Sequence, residues 1–329
     1  MNDRYLRALC LHFNLGSPKQ KPARVHGGLL HIMWRLNTDK ASYAIKQLSN
    51  TNLHNPEIAK NYELSEHIAS RFQSAGIPSL SAIQVSGRHL FVTEEIGFLV
   101  YPWVDATALN QHVISEVHAL KIAVILAKMH QLNLQIPNIS QSAFSTYTSE
   151  KIASLIDKAE SFGLPFVPYL RKHQNEISSA NEDFLRAVRD LEPRWVVGHG
   201  DLDQKNVLWG KEQNPILVDW ESACKINPAY DIIGTAFCWS GITSQFDEAL
   251  FFKMINAYKQ AGGIIEQQDV HAACFGAFSW IGWLIYNIER SCVEEDSASK
   301  MLGIEQVNQT IETILRLQTV IPRVVNEIS

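Results

Sequence analysis

Three polar side chains in the stretch 199–221 have the types and the spacing that phosphoryl transfer from a nucleotide requires. Asp201 lies five residues before Asn206, and Asp219 follows the short apolar run 216–218. In such a reaction one carboxylate orients or deprotonates an acceptor hydroxyl, while a second carboxylate and an amide oxygen hold a metal ion on the phosphates. Two short strands joined by a turn would bring both aspartates to one cleft, so we predict a phosphoryl-transfer site here.

The neighbours of these residues leave some roles open. Gly200 lets the backbone adopt an unusual turn that exposes Asp201. Asp203 is a rival carboxylate, which in an extended loop would point the same way. We expect His199 to brace the loop through a hydrogen bond rather than to act as an acid or a base. Glu221 is left open between a second metal neighbour and a salt-bridge partner.

Lys46 is predicted to bind the phosphates of the nucleotide. In a strand over 41–48 the side chains alternate between the two faces, so Ala44 and Lys46 share one face. The small side chain of Ala44 leaves room for a base, and the ammonium group of Lys46 supplies a cation for the α- and β-phosphates. A strand lysine alone is usually solvated, and the downstream carboxylates are what favour this role.

A glutamate on a helix should position this lysine. The pair Asn55-Pro56 predicts the start of a helix, with an N-cap side chain followed by a proline that fits the first turn. Glu63 and Glu66 are three residues apart on that helix and therefore share one face. We favour Glu66 as the partner of Lys46 because it lies better against the apolar positions of the helix, and Glu63 remains the alternative.

Two further segments are predicted to contact the nucleotide. Gly27 and Gly28 are predicted to form a tight turn between two strands, where backbone N–H groups could approach a phosphate because no side chain intervenes. Tyr101 and Trp103 belong to a segment whose backbone groups would pair with the adenine edge. The sequence thus predicts a phosphate loop and an adenine-binding segment on either side of the lysine.

The apolar patterns predict an α+β fold, with a small antiparallel sheet followed by a mainly helical part. One helix is expected from residue 55 to just before Gly76, and from about Ser115 helices alternate with short loops. The nearly apolar run 274–286 is expected to form one buried helix. Strands are expected at 25–36 (two strands around the glycine pair), 41–48, 82–85, 90–93 and 98–101.

A chain of 329 residues is long for a single core, which favours two lobes. We predict an N-terminal nucleotide-binding lobe over 1–101 and a hinge over 102–106. A C-terminal catalytic and substrate-binding lobe would then occupy 107–329.

Together these motifs resemble the aminoglycoside phosphotransferase and choline kinase superfamily, relatives of the protein kinases that act on small molecules. The most specific parts are His199-x-Asp201 with Asn206 and the triplet Asp219-Trp220-Glu221, and the likeness extends over about residues 25–287. The segment around Lys46 resembles the Val-Ala-Ile-Lys element of kinases. The resemblance implies a bilobal protein-kinase-like fold, ATP as the phosphoryl donor with GTP not excluded, and Mg²⁺ as cofactor.

The resemblance also implies roles for individual residues. Asp201 would be the catalytic base, and it is favoured over Asp203 because its spacing to Asn206 fits the superfamily. Asn206 and Asp219 would bind the magnesium ion. The acceptor of the phosphoryl group would be a hydroxyl of a small molecule.

Three residues depart from the pattern of that superfamily. Many members carry a small polar residue at the position of Leu30, Asn at that of His31 and Gly at that of Lys205. Lys205 is left open between contact with the transferred phosphate and pairing with Asp203. His31 is left open between a role near the γ-phosphate and an ordinary surface position.

The acceptor pocket is predicted to come from the later helices. Tryptophan faces attract ammonium groups at about 0.5–2 kcal/mol each, and acidic residues follow the tryptophans in sequence, which would suit a cationic, aminoglycoside-like acceptor. The alternative is that the tryptophans belong to the core and the acids to a solvated surface. The candidate residues are Trp239, Trp280, Trp283 and Asn287.

Three rival functions fit parts of the same pattern. The first is a choline, ethanolamine or other metabolite kinase. The second is a non-catalytic nucleotide-binding module, which the presence of all four key side chains disfavours (Lys46, Asp201, Asn206 and Asp219). The third is a protein kinase, which would carry an activation segment after Asp219, whereas here a helix is predicted to begin at about Asn227.

Composition excludes other classes of protein. The net charge is −5 and no long basic stripe is present, so we expect no nucleic-acid partner. The five cysteines are scattered and form no CxxC pair, which is typical of reduced thiols in a cytoplasmic protein. The run 274–286 is too short to cross a bilayer, so no membrane partner is expected. A monomer or a homodimer fits the sequence equally well.

Overall fold

A computed structural model of the chain describes residues 1–25, 31–48, 56–93, 96–110, 113–142, 144–293 and 297–328, with the side chains of 297–299 excepted. The chain forms two compact units. The first consists of Met1–Asn110, Leu134–Ile139 and His199–Ala223, and the second of Gln111–Asn133, Ser140–Gly198 and Cys224–Ser329. The lobe and hinge boundaries placed from the sequence stay a prediction.

An antiparallel five-stranded sheet dominates the first unit, as predicted. Its strands run in the order β1-β2-β3-β5-β4, and every neighbouring pair is antiparallel. Two helices, α1 (Asp3–His12) and α2 (Pro56–Ser74), belong to the same unit. The strands are β1 (Ala23–Val25), β2 (Ile32–Asn37), β3 (Ser42–Gln47), β4 (Phe91–Val92) and β5 (Gly97–Pro102).

The two faces of β3 have different surroundings. Ile45 is fully buried in a hydrophobic cluster with residues of α1, β2 and β5, among them Leu9 and Val100. Because side chains alternate along a strand, Ala44 and Lys46 point to the opposite face. The predicted period of two therefore leaves one face of β3 for the core and the other for polar contacts.

The helix α2 packs its apolar side against other residues of the first unit. Phe72 is fully buried, and its ring stacks on that of Trp220 with centroids 5.1 Å apart. The helix ends at Ser74 and is followed by Gly76 with φ +86°, as the predicted stop requires. The expected N-cap Asn55 lies outside the described residues.

The strand predicted at 82–85 is wrong. Ile83 donates its N–H to the carbonyl oxygen of Val100 at 2.7 Å, but the neighbouring groups do not continue a ladder. The amide of Ala82 is bound by the side chain of Glu66 at 2.6 Å, and Val85 pairs with Arg88 across a tight turn. The segment therefore runs along β5 without becoming a strand.

A second, three-stranded antiparallel sheet in the first unit carries the segments that were singled out for chemistry. Its order is β6-β8-β9, with Val207 of β8 opposite Leu217 of β9. These are the two short strands, joined by a turn, that the sequence predicts around 201–219. The strands are β6 (Thr107–Ala108), β8 (Val207–Trp209) and β9 (Pro215–Leu217).

The second unit is mainly helical, as predicted, with one short antiparallel pair between β7 (Val196–Gly198) and β10 (Cys224–Ile226). None of the helices that the structure describes is both long and apolar enough to cross a membrane. The helices are α3 (Glu116–Leu132), α4 (Ser149–Ser161), α5 (Val167–Lys172), α6 (Gln174–Asp190), α7 (Pro228–Trp239), α8 (Glu248–Gln260), α9 (Gln267–Gly276), α10 (Trp280–Ser291) and α11 (Ser297–Ile328).

The single helix predicted over 274–286 is instead two helices. The α-helix α9 ends at Gly276, a 3₁₀ turn covers Ala277–Ser279, and α10 begins at Trp280. Glycine is a poor helix residue, and a side chain at Gly276 would come within 2.6 Å of the ring of Tyr230. The glycine thus leaves room for that ring at the point where the helical run changes to a 3₁₀ turn.

Candidate active site

The loop from His199 to Asn206 begins with a turn that only glycine fits. Gly200 has φ +77°, and a Cβ atom built there would lie 2.0 Å from the carbonyl oxygen of Ser222. Residues with a side chain rarely adopt such a backbone conformation. The unusual turn predicted before Asp201 is confirmed.

We expect Gly200→Ala to destabilise the protein strongly. The left-handed backbone alone costs a residue with a side chain roughly 1–2 kcal/mol, and the contact with the carbonyl of Ser222 adds to it. Thermal unfolding measures the loss. Gly210→Ala is the matched control, because that glycine has an ordinary φ and no atom within 4 Å of its Cβ position. Equal melting temperatures for both variants would contradict the account of this turn.

Asn206 fastens the side chain of Asp201. The amide nitrogen Nδ2 of Asn206 donates to the backbone oxygen of Asp201 at 2.8 Å and to its carboxylate Oδ2 at 2.9 Å. The backbone carbonyl of Asn206 accepts from the N–H of Val218 at 3.0 Å. The loop that carries Asp201 is thereby bonded to the residue that precedes Asp219.

The rival carboxylate, Asp203, accepts a hydrogen bond from the residue that follows it. Its Oδ1 accepts from the N–H of Gln204 at 2.6 Å and caps a 3₁₀ turn over Gln204–Asn206. Burial raises the pKa of Asp203, and the positive charge of Lys205 opposes that rise. Capping is a structural role for this side chain, which distinguishes it from Asp201.

Lys205 contacts both aspartates of the loop. Its Nζ lies 3.2 Å from Oδ2 of Asp201 and 3.9 Å from Oδ2 of Asp203. Burial lowers the pKa of Lys205, but the charges of Asp201 and Asp203 outweigh it and raise the pKa overall. The ammonium group therefore stays charged beside Asp201, and the pairing with Asp203 is the longer of the two contacts.

His199 braces the loop, as predicted. Its Nε2 lies 3.0 Å from the carbonyl oxygen of Val218, and its ring packs on Trp220 with centroids 4.6 Å apart. The residue is fully buried. It thus ties the start of the loop to the turn that contains Asp219.

Asp219 adopts a left-handed backbone conformation directly after β9. Its φ and ψ are both 64°, a state that costs most residues of order 1–3 kcal/mol and that aspartate tolerates better than most. Its carboxylate Oδ1 lies 2.9 Å from Nζ of Lys46. Lys46 is thus bonded to Asp219 and Asp201 to Asn206, and the backbone bond between Asn206 and Val218 brings the two pairs together within the first unit.

Glu221 forms a second ion pair with Lys46, so the salt-bridge alternative left open for Glu221 is realised. Its Oε1 also lies 3.4 Å from Nε2 of His31. Burial raises the pKa of Glu221, but the hydrogen bond from His31 and the charge of Lys46 outweigh it and lower the pKa to about 2. His31, whose Nε2 is also 3.4 Å from the hydroxyl of Tyr62, is therefore part of the site and not an ordinary surface residue.

Neither helical glutamate is bonded to Lys46 in the described part of the chain. Glu66 accepts from the N–H of Ala82 and from the hydroxyl of Tyr101. Glu63 accepts from the N–H groups of His89 and Leu90 at 2.9 and 3.1 Å. The two carboxylates of α2 therefore accept hydrogen bonds from backbone N–H groups and from a tyrosine hydroxyl. Lys46 forms ion pairs with the carboxylates of Asp219 and Glu221 instead.

The buried carboxyl of Glu66 predicts a pH effect on stability. Burial raises its pKa from 4.5 to about 7, against the hydrogen bonds from Tyr101 and Ala82. A carboxyl whose pKa is higher in the folded state favours folding when protonated, so this contribution is lost as the pH rises from 4.5 through 7. Between about pH 5 and pH 8 the wild type should lose up to about 3 kcal/mol of unfolding free energy relative to Glu66→Gln. Urea unfolding at both pH values measures this, and parallel curves for the two proteins would contradict it.

The predicted adenine-binding segment continues the sheet. Tyr101 lies opposite Ala44 in the β3–β5 ladder, and the N–H of Trp103 donates to the carbonyl of Ser42 at 3.0 Å. The guanidinium of Arg35 lies 4.2 Å from the ring centroid of Trp103. By the alternation of the ladder, the carbonyl of Pro102 faces away from β3. The predicted phosphate-loop residues Gly27 and Gly28 lie outside the described residues.

The four predicted acceptor residues all belong to the second unit, and they differ in exposure. Trp239 is 2% exposed and Asn287 is 0% exposed, so neither presents side-chain surface to an acceptor. Trp280 and Trp283 are half-buried. The ring of Trp283 stacks on that of Tyr286 at 5.3 Å, and the guanidinium of Arg290 lies 5.3 Å from the Tyr286 centroid and 6.0 Å from that of Trp283.

The donor set fits a magnesium ion held by few protein ligands. Because Nδ2 of Asn206 is turned to Asp201, its amide oxygen is the atom left for a cation, and the Asp219 carboxylate is about half exposed. No three His, Cys, Asp or Glu side chains form a metal-binding group in the described ranges. Mg²⁺ prefers oxygen ligands and commonly takes one or two carboxylates together with water and substrate phosphates.

Two contacts of this site were missed by the sequence reasoning. The bond from Tyr101 to Glu66 and the contact of Tyr62 with His31 both involve tyrosines of the first unit. Tyr62 stands four residues before Glu66 on α2, so helical spacing could have placed it on the same face. The Tyr101 contact joins residues far apart in sequence and had no such signal.

Comparison with known proteins assigns the sequence to a family. The sequence matches the family model described as "Phosphotransferase enzyme family" over residues 23–267. A search of curated protein sequences gives no match. The family match confirms the resemblance drawn from the motifs.

Solved structures with a similar fold include three small-molecule phosphotransferases or kinases. A spectinomycin phosphotransferase in complex with ADP and spectinomycin has a TM-score of 0.70 at 12% identity, with 97% of this chain and 98% of that chain covered. An aminoglycoside phosphotransferase from Alicyclobacillus acidocaldarius has a TM-score of 0.61 at 14% identity, covering 94% and 93%. A choline kinase from Streptococcus pneumoniae has a TM-score of 0.61 at 15% identity, covering 94% and 99%. At these identities the likeness concerns the fold, and the predicted fold class is confirmed.

Proposed function

Because the chain belongs to the phosphotransferase enzyme family, we propose that it transfers the γ-phosphoryl group of ATP to a hydroxyl group of a small molecule, with Mg²⁺ as cofactor. The observation that carries this proposal is the set of linked contacts in the first unit. Lys46 pairs with Asp219, and Asn206 holds Asp201 while its backbone binds Val218. These residues provide a phosphate-binding cation, metal-binding oxygens and a carboxylate for the acceptor.

The nucleotide would be bound mainly by the first unit. The ammonium of Lys46 lies on the face of β3 that also carries Ala44, where the small side chain leaves room for a base. The carbonyl of Pro102 and the backbone that follows it, up to Trp103, would meet the adenine edge. GTP is the alternative donor.

Asn206 and Asp219 would hold the magnesium ion through their side-chain oxygens. The ion, when bound, supplies positive charge that offsets the charge on the β- and γ-phosphates. The left-handed backbone of Asp219 and the hydrogen bond from Asn206 to Asp201 keep both ligands in place.

Asp201 would orient the acceptor hydroxyl and accept its proton. As the acceptor oxygen bonds to the γ-phosphorus, the bond to the β–γ bridging oxygen breaks, ADP leaves, and the hydroxyl proton passes to the carboxylate. The neighbouring ammonium of Lys205 lies 3.2 Å from Oδ2 of Asp201 and helps to hold that carboxylate in place. Catalysis would then rest on positioning and on charge neutralisation.

The short connection after Asp219 supports a small-molecule acceptor. A 3₁₀ turn over Trp220–Ser222 leads into β10 and then into α7 at Pro228, which leaves no room for an activation segment that docks a peptide. The solved relatives are described as acting on spectinomycin, aminoglycosides or choline. A preference for cations gains no support at Trp283, because Arg290 already lies over that aromatic pair.

A panel of acceptors tests the proposal. Purified protein is incubated with MgATP and, in turn, aminoglycosides, spectinomycin, macrolides, choline, ethanolamine and a generic protein substrate, and ADP release is followed. We expect release that depends on one class of small molecule and that is lost in Asp201→Asn. Transfer to the protein substrate alone would favour a protein kinase. ATP binding without transfer to any acceptor class would favour a non-catalytic module.

A further inference from the structure

The contacts of Lys46 differ from those expected of a lysine held by a helix. Both glutamates of α2 are committed elsewhere: Glu63 binds two backbone N–H groups, and Glu66 binds the N–H of Ala82 and the hydroxyl of Tyr101. A carboxylate that accepts two hydrogen bonds is costly to redirect, above all where it is buried, as Glu66 is. The α2 carboxylates are therefore poorly suited to hold the ammonium group.

Glu221 is the glutamate that contacts the ammonium group of Lys46. Its carboxylate contacts Nζ of Lys46 directly, and Lys46 is only 8% exposed. Charge-assisted hydrogen bonds of this kind are about twice as strong as neutral ones. The contact with His31 at 3.4 Å lies on the same oxygen, Oε1, so Glu221 stands between two donors.

Asp219 does not make Glu221 redundant. Asp219 is the proposed magnesium ligand, and a carboxylate engaged with a metal ion has less charge left for an ammonium group. Glu221 is two residues further on, after a residue buried against α2: Trp220, whose ring stacks on Phe72. The stacking fixes the turn that carries both acids, so Glu221 is held at Lys46 by packing and not only by its own charge.

We propose that Glu221, and not a glutamate of α2, is the residue that positions Lys46 for the phosphates of the nucleotide. This proposal rests on the proposed function. In this arrangement ion pairs join Lys46 to the turn 219–221, which also carries the proposed metal ligand Asp219. Glu66 then serves to fasten Tyr101 and the segment at Ala82.

Two isosteric variants distinguish the glutamates by their effect on catalysis. Glu221→Gln should lower kcat by about 10- to 100-fold, the effect expected for losing a charge-assisted contact, with the KM for ATP changed less than kcat. Glu66→Gln is the matched comparison, and its kcat should fall clearly less than that of Glu221→Gln. A loss of kcat in Glu66→Gln as large as that in Glu221→Gln, or no loss in Glu221→Gln, would overturn the proposal.

A second readout needs no enzymatic activity. Each folded protein is treated with sulfo-N-hydroxysuccinimide acetate, and acetylation of Lys46 is followed by mass spectrometry, with Lys60, 61% exposed, as the internal reference. Lys46 should react several-fold faster in Glu221→Gln than in the wild type and at the wild-type rate in Glu66→Gln. Equal rates in Glu221→Gln and the wild type would overturn the proposal. If the wild type transfers no phosphate at all, the proposed function fails, while the labelling still decides which glutamate holds Lys46.

Discussion

Replacing Asp201 with asparagine should lower kcat by about 10²–10⁴-fold, the range for losing a general base, while ATP affinity stays near that of the wild type. The amide has nearly the shape of the carboxylate, and the bond from Asn206 to the backbone oxygen of residue 201 remains. What is lost is the group that accepts the proton of the acceptor hydroxyl. Steady-state kinetics with the acceptor found in the panel, together with ATP titration, measures both quantities.

The matched control is Asp203→Asn in the same loop. Asparagine caps helical turns as well as aspartate does, so the bond to the N–H of Gln204 should survive. We expect kcat within a few-fold of the wild type. Near-normal turnover in Asp201→Asn, or an equal loss in both variants, would contradict the assignment of Asp201 as the base.

Replacing Asp219 with alanine should abolish the magnesium-dependent part of nucleotide binding. The carboxylate is the one charged ligand proposed for the metal ion, and the amide oxygen of Asn206 alone would bind it weakly. Loss of this carboxylate also removes a partner of Lys46 at 2.9 Å. Calorimetric titration with ATP, once with Mg²⁺ and once with a chelator, should give equal and weak affinities for the variant but different affinities for the wild type.

A second variant separates lost binding from a lost fold at this position. Asp219 has φ 64°, where alanine is strained by about 1–2 kcal/mol, whereas asparagine tolerates this conformation. Asp219→Asn should therefore melt near the wild type and still lose most of the magnesium dependence. Unchanged MgATP affinity in both variants would count against Asp219 as a metal ligand.

Local rules were enough to predict the strand face or the turn that some of the candidate side chains occupy. Period two along β3 put Ala44 and Lys46 on one face, and a glycine before Asp201 indicated the turn with φ +77°. Both inferences depend on a few neighbouring residues and on backbone sterics. For the same reason the two short strands that lie between Asn206 and Asp219 could be predicted.

Partners far apart in sequence could not be predicted in the same way. Lys46 and Glu221 are separated by 175 positions, and periodicity indicates which face a residue lies on, not what it meets there. The carboxylate of Glu66 binds the backbone N–H of Ala82, in the segment 82–85 that was expected to be a strand, and the carboxylate of Glu63 binds the N–H of His89. The strand prediction and the partner prediction were thus coupled.

Tryptophan positions illustrate a second limit. Trp239 and Trp283 are both on helices, yet one is 2% exposed and the other is half-buried beneath Arg290. Aromatic side chains serve cores and binding surfaces alike. The acceptor residues at Trp280 and Trp283 therefore remain a prediction, which the acceptor panel and variants of these two residues would test.

The most direct test of the account is a crystal structure of the protein with Mg²⁺ and a non-hydrolysable ATP analogue. We predict that Nζ of Lys46 contacts the α- and β-phosphates, that oxygens of Asn206 and Asp219 bind the metal ion, and that the carboxylate of Asp201 faces the γ-phosphate. A nucleotide bound elsewhere, or one that leaves these four side chains without contact to phosphate or metal, would contradict the central claim.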